Sequence, residues 1–360
     1  MKADDEHPGT PSSYGSHPRV SSSRNEFDFI DSIRRRVSSS LTTQHSSLLA
    51  GIGDDAAVIK QTSGRDTVVT ADLLVEEIDF RRSSTEPRLL GHKALAVSLS
   101  DIAAMGARPR WVLCSIGVPQ EIWDSNFLDE FFEGLLALAD RYNVQLIGGD
   151  VSRTPERIVI DSIVLGECET MRAVLRSGAK PGDRLFVTGS LGGAAAGLRL
   201  MERGARLDKI ADDDEWHLIH DLLLRQLCPQ PRVGWGLVLG QERLASAMID
   251  ISDGLSSDLH HLCRESNVGA LIQSGKIPVN PVVTELCGRR ALDPLLLALH
   301  GGEDFELLFA VAPEDVAKLP SKVDGVSLTE IGEIKPAPEG ISLSEGSRIW
   351  DLKPEGWKHF

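Results

Sequence analysis

Strand-like and helix-like segments alternate along this 360-residue chain, and the alternation predicts an α/β or α+β layered fold. The length favours two domains. A turn-rich joint, Arg176-Ser177-Gly178-Ala179-Lys180-Pro181-Gly182-Asp183, supplies a place to divide them. The expected layout is an extension over 1–25, an N-terminal domain over 26–170 and a C-terminal α/β domain over 171–360.

Composition narrows the class. Hydrophobic content of 41% and charged content of 25% are those of a globular protein with a sizeable core. The formal net charge of −15 disfavours nucleic acid and anionic membranes as partners. It leaves room for an anionic substrate, because bound divalent cations invert the local potential. The cysteines at 114, 168, 228, 263 and 287 are scattered and form no C-x-x-C, which points to reduced thiols in the cytoplasm. No apolar run reaches the roughly 18 residues of a membrane span, and the N-terminus lacks the apolar core of a signal peptide.

Residues 1–25 are rich in Ser, Pro, Gly and His without periodicity, and are expected to be disordered. Phe27, Ile30, Ile33 and Val37 then give helical spacing. Ala57-Val58-Ile59 reads as a strand, Gln61-Thr62-Ser63-Gly64 as a turn and Thr67 to Asp72 as the partner strand of a hairpin. Pro87 starts a helix that Gly106 ends, with Leu90, Ala94, Val97, Asp101 and Ala104 on one stripe. A strand over Trp111–Val118, a helix over Phe127–Tyr142, a strand ending at Asp150 and a strand over Ile158–Gly166 follow. The second half opens with a strand at Arg184–Thr188. It enters a helix through the glycine-rich turn 189–197, which suits either anion binding or close helix packing. Residues 203–216 read as a surface helix pair, and Asp253 as a candidate N-cap. Phe305–Phe309 is strand-like.

Acidic residues recur at the ends of these elements. Gly51-Ile52-Gly53-Asp54-Asp55-Ala56-Ala57-Val58 places two carboxylates beside apolar sequence, where they need water or a cation. Asp72 and Asp150 end apolar runs, Asp101 lies in an apolar helix stripe, and Asp250 interrupts Met248-Ile249-x-Ile251. An Asp-only set, poor in histidine, suits magnesium better than zinc or iron. His217, His220, His260 and His261 lack the spacing of a zinc site. Neither G-x-S-x-G nor a Cys-His pairing supplies a covalent nucleophile. The residues alone thus point to magnesium-dependent chemistry on a phosphate-containing ligand.

Eight stretches together carry a resemblance. They are GIGDDAAV (51–58), TADLLVE (70–76), KALAVSLSDIAAMGARP (93–109), QLIGGDVSR (145–153), RSGAKPGD (176–183), IDISDGLSSDL (249–259), GGEDFELLF (301–309) and GWKHF (356–360). In this order they resemble the thiamine-monophosphate kinase family, within the superfamily of aminoimidazole ribonucleotide synthetase and selenophosphate synthetase. The resemblance implies a two-domain aminoimidazole ribonucleotide synthetase-like fold whose N-terminal sheet forms a barrel across a homodimer. It implies direct transfer of the ATP γ-phosphate to thiamine monophosphate, with several magnesium ions and no P-loop or phospho-enzyme.

Carried over by motif, Asp55, Thr70, Asp72, Asp101, Asp150, Asp250 and Asp253 would hold magnesium, with the Ala71 carbonyl as a further oxygen. Asp55 is preferred over Asp54 by its place in the motif. Gly149, Asp150, Arg176 and Ser252 would meet the nucleotide. Glu303 and Trp357 would face the thiamine part, where a carboxylate and an aromatic ring suit a cationic thiazolium. Asp79 stands where the family usually has His, and is retained as a substrate contact. The rival readings are another ATP-dependent synthetase of the superfamily and a non-catalytic metal- or nucleotide-binding module. The first cysteine, Cys114, lies in an apolar strand, which weakens a selenophosphate synthetase reading.

Overall fold

The computed structural model describes residues 26–39, 47–52, 57–208, 215–290 and 292–357. The extension over 1–25, and Asp54 and Asp55, lie outside them.

The first half runs α1 (Glu26–Ser39), β1 (Leu48–Ala50), β2 (Val58–Ile59), β3 (Arg65–Val75), α2 (Pro87–Ala104), β4 (Arg108–Val118), α3 (Gln120–Trp123), α4 (Phe127–Tyr142), β5 (Gln145–Arg153) and β6 (Val159–Glu169). Of the expected spacing Ile33 and Val37 are buried, and Phe29 joins them in the stripe of α1, while Ile30 is half-buried. Phe29 packs edge-on against Trp123 and Phe132, and that contact selects the face. The expected hairpin between 57–59 and 67–72 does not form. β2 pairs with β1, while all eleven residues of β3 pair antiparallel with β6. A two-residue strand offers too few ladder bonds to compete with a partner of full length.

The resulting sheet has the order β3-β6-β4-β5, with β4 and β5 parallel. One face of β3 is open to solvent at Thr67, Val69, Ala71 and Leu73, and the alternate residues face α2. α2 is buried around most of its circumference, so apolar residues are not confined to one stripe, and Lys93, Ser98 and Ser100 are buried among them. A Cβ at Gly91 would lie 1.8 Å from the Phe131 carbonyl oxygen, and one at Gly134 1.8 Å from that of Arg88. These two glycines let α2 and α4 touch backbone to backbone.

The second half runs β7 (Arg184–Thr188), α5 (Gly193–Glu202), α6 (Trp216–Leu227), α7 (Val233–Gln241), β8 (Ala247–Ile251), α8 (Leu255–Ser266), β9 (Val268–Gln273), α9 (Pro281–Arg290), α10 (Pro294–His300), β10 (Glu306–Val311), β11 (Lys322–Val323), β12 (Val326–Pro336), β13 (Ile341–Glu345) and β14 (Arg348–Asp351). Its sheet has the order β14-β13-β9-β12-β7-β10-β8, with β11 on β12. Residues 203–208 form turns and no helix, so the expected helix pair reduces, among described residues, to α6. Strands β7 and β10, and β8 at the end of the sheet, are buried on both faces, hence their largely apolar sequences, in which Asp250 and Glu306 are the buried acids. α2 lies against both halves: Ser100 bonds to Asp250 of β8, and a Cβ at Gly236 of α7 would stand 2.2 Å from the Ala103 carbonyl oxygen.

Candidate active site

Three carboxylates from three elements meet beside α2. Strand alternation turns Thr70 and Asp72 of β3 towards the helix. The Thr70 hydroxyl donates to Asp101 Oδ2, and Ser98 Oγ donates to Asp72 Oδ2 at 2.6 Å. Ser100 Oγ donates to Asp250 Oδ2 at 2.7 Å, from the second half of the chain. Asp250 is only 3% exposed.

Their electrostatics reflect mutual repulsion in a poorly solvated place. Burial, then the Asp101 charge, pushes Asp72 up to about 6. Burial pushes Asp101 upward as well, against the Thr70 hydrogen bond and the Arg176 charge. Burial and Asp101 push Asp250 up to about 7, while the Ser100 bond and Arg176 pull it back. Such a set favours the arrival of positive charge. Among the described residues no three carboxylates, imidazoles or thiols already form a metal cage. The donor set is all oxygen and open, which fits magnesium, an ion that keeps waters and shares a few carboxylates with phosphates.

Asp253 follows β8, and the expectation that it caps α8 is not met. The N-cap is Gly254, and the backbone N–H groups of Asp253 and Gly254 instead donate to Asp258, at 3.2 and 3.0 Å. Asp258 is buried, and its carboxyl is raised well above the usual range by burial and by Asp250 and Asp253. The Trp357 N–H donates to the Asp253 carbonyl at 3.1 Å, so the C-terminal segment lies across this loop.

A cavity of about 360 Å³ opens from Asp72, Ser252 and Asp253 to Asp79, Lys93, Glu303 and Trp357. The Asp79 carboxylate accepts the Val75 N–H at 2.8 Å, closing the turn after β3. Thus Asp72, Asp79, Ser252, Asp253, Glu303 and Trp357 share one cavity, and Arg176 is electrostatically close to Asp101 and Asp250.

Other candidates stand elsewhere. Asp150 lies within β5 and not at its end. It is in register with Ser115 of β4, which is in register with Asp161 of β6, itself opposite Leu73. That places Asp150 on the open face of the sheet, three strands or about 14 Å from β3. Its Oδ1 accepts the Val151 N–H at 2.9 Å. Gly149 has φ +150, and a Cβ there would lie 1.9 Å from the Cys114 carbonyl oxygen. Its glycine is therefore required by the neighbouring strand. The Ala71 side chain is on the open face, turned away from the three carboxylates.

Other acids the motifs contain have structural partners. Asp304 accepts the N–H groups of Gly192 at 2.6 Å and Ala194 at 3.1 Å. The chain's own carboxylate thus fills the helix start that the glycine-rich turn offered to an anion, and burial pushes it up to about 7. Glu306, fully buried, accepts two bonds from Arg232 and one from Thr188. Cys114 is buried, and its thiol is pushed up to about 12 by burial and Asp161, so it is no nucleophile. Sequence reasoning missed Ser98, Ser100, Asp258, Lys93 and Gln226. Polar residues inside the apolar run of α2 were the available signal for the two serines and the lysine.

Residues 53–168 match the model of the AIR synthase related protein N-terminal domain, and residues 180–343 that of its C-terminal domain. The chain is 37% identical over 316 residues to the thiamine-monophosphate kinase of Buchnera aphidicola, covering 87% of this chain and 93% of the relative. Its fold is similar to a crystal structure of thiamine-monophosphate kinase from Stenotrophomonas maltophilia K279a (TM-score 0.76, 36% identity, 90% of this chain and 98% of that one). It is also similar to AaThiL complexed with AMPPCP and TMP (TM-score 0.73, 31% identity, 97% and 100%). Identity at this level across nearly whole chains, on the same two-part architecture, goes beyond shared fold: the chain belongs to the thiamine-monophosphate kinase family.

Proposed function

We propose that this chain transfers the γ-phosphoryl group of ATP to thiamine monophosphate, releasing thiamine diphosphate and ADP. The observation that carries the reading is that the buried carboxylate cluster reaches, through Asp72, a cavity lined also by Asp253, Glu303 and Trp357, in a member of this family. One end suits phosphates with their cations, and the other suits a cationic ring.

Asp72, Asp101 and Asp250 would hold magnesium, with Thr70 and Asp253 beside them. Asp55 and the Ala71 carbonyl complete the proposed set, which Asp150, on the other face of the sheet, does not join. Bound magnesium neutralises phosphate charge and aligns donor and acceptor. Arg176, beside Asp101 and Asp250, supplies a fixed positive charge to the nucleotide, with Ser252 on the cavity wall as a further contact. The acceptor's phosphate has a second pKa near 6, so its attacking oxygen is already ionised at neutral pH. No side chain is needed as general base, and none is assigned. Asp79, Glu303 and Trp357 bind the organic part of the acceptor.

We also propose two domains meeting near residue 170, and a homodimer in the cytoplasm. On the open face of the first sheet Val69 is 60% and Leu73 58% exposed, and β3 lies at the sheet's edge. A second copy would cover both. No helix among the described residues is long and apolar enough to cross a membrane.

The test is a product assay with ATP, magnesium and thiamine monophosphate, with EDTA and no-acceptor controls. Thiamine diphosphate and ADP in equal amounts are expected. ATP hydrolysis without thiamine diphosphate would point to a synthetase, and nucleotide binding without turnover to a binding module.

A further inference from the structure

We propose that Lys93 is a positioning residue for acceptor recognition. Its buried ammonium, with the Gln226 amide, holds the Glu303 carboxylate on the wall of the cavity. The proposal rests on the reading of that cavity as the acceptor site.

Three unfavourable features converge on this one carboxylate. First, Lys93 is 2% exposed, and a lysine is rarely so buried unless paired. Its Nζ stands 2.7 Å from Glu303 Oε1. Second, Gln226 Nε2 donates to Glu303 Oε2. A carboxylate requires a donor there, which settles the amide's orientation and leaves Gln226 Oε1 buried without a hydrogen-bond partner. Third, Glu303 has φ +64 and Phe305 φ +50, left-handed conformations that non-glycine residues avoid. The Glu303 N–H is held by the Ser252 carbonyl at 2.7 Å. Costs of this kind persist where the surroundings impose them, and they gather at binding sites.

A tie needed only for stability would be closed at both ends, as the Glu306–Arg232 pair is, at 0% and 10% side-chain exposure. The Glu303 side chain is 30% exposed and lines the cavity. The ammonium is buried and the carboxylate is open, so a ligand meets the negative end of the pair. Both carboxylate oxygens carry donors, which suits Glu303 to opposing a cation and not to removing a proton. Lys93, Val97 and Asp101 follow one another at steps of four along α2. Eight residues of helix separate the ring end from the phosphate end by about 12 Å.

The experiment is steady-state kinetics of the full chain with magnesium, varying ATP and thiamine monophosphate separately, for wild type, K93M, K93R, E303Q and K93M/E303Q. K93M is expected to raise KM for thiamine monophosphate about tenfold or more, with kcat and KM for ATP within about threefold. K93R should show a smaller, severalfold rise, because it keeps charge but not shape. The double variant should be no weaker than E303Q alone, since the two residues act through one carboxylate. Equal rises in both KM values, or additive losses in the double variant, would overturn the proposal and make the pair a structural tie. If K93M does not fold, K93R decides: an unchanged KM for the acceptor overturns it. Absence of thiamine diphosphate from the wild type would overturn the functional reading and this proposal with it. Wild-type turnover with K93M acting on both substrates alike overturns this proposal alone.

Discussion

Ser100 Oγ donates to Asp250 Oδ2 at 2.7 Å, joining the central helix of the first half to strand β8 of the second. This bond brings Asp250 to Asp101, on the same helix as Ser100. Burial and neighbouring carboxylates raise all three acids, so the members of the cluster should trade stability against activity.

Asp72→Asn should show that trade directly. The asparagine can still accept the Ser98 bond, and one repelling charge is gone. The metal-free variant should melt no lower than wild type and up to about 2 kcal/mol more stably, while turnover falls at least about 100-fold. Differential scanning fluorimetry and the product assay check both parts. Near wild-type turnover would remove Asp72 from the metal set.

The pH dependence of the metal-free protein follows from the raised carboxyls. Asp250 and Asp304 sit at about 7 and Asp72 at about 6, all above the usual 3.8. The folded state then holds more protons than the unfolded state. Their contribution is full below the unfolded value and is lost as pH rises through 6 to 7. His92 and His261, lowered by burial, act oppositely, but only as pH falls towards their unfolded value of 6.5 and below. Between pH 6.5 and 8 in EDTA, stability should fall by about 1–2 kcal/mol. Magnesium should remove the part due to Asp72 and Asp250. A flat or rising thermal profile in EDTA would contradict the arrangement of these buried acids.

Three acids within four positions should behave differently. Glu306→Gln strips a buried Arg232 of its anion and should cost about 3–5 kcal/mol. Asp304→Asn weakens the start of α5 and should cost about 1 kcal/mol. Glu303→Gln should cost less stability than Glu306→Gln, yet affect acceptor KM most. Urea denaturation of the three variants ranks them, and a Glu303→Gln loss as large as that of Glu306→Gln would refute the division of roles.

A charge on the open sheet face tests the dimer. Val69→Lys with Leu73→Lys places two ammonium groups where side chains are more than half exposed in the single chain. The variant should stay folded and elute as a monomer on light-scattering chromatography. If wild type is dimeric and the variant remains so, the interface lies elsewhere.

Much of this was legible in the residue order, because it is local. Helix α2 follows from Pro87, Gly106 and the apolar run between them. Thr67 to Asp72 reads as a strand, but which of its faces is wet follows only from its packing against α2. Asp72, Asp101 and Asp250 each stand out because a carboxylate in apolar sequence needs a partner. The tertiary structure decided which partners are met. Asp101 and Asp250 are separated by nearly half the chain and meet only because α2 lies between the two sheets. Lys93 finds Glu303 the same way. Asp304, beside Glu303 in sequence, turns to a helix start, and Asp150 falls on the opposite face of its sheet through strand register. Residue type and short spacing set what each segment can become, since backbone sterics and side-chain periodicity act over a few residues. Which charges converge depends on packing and register between distant segments, and no local pattern encodes that distance.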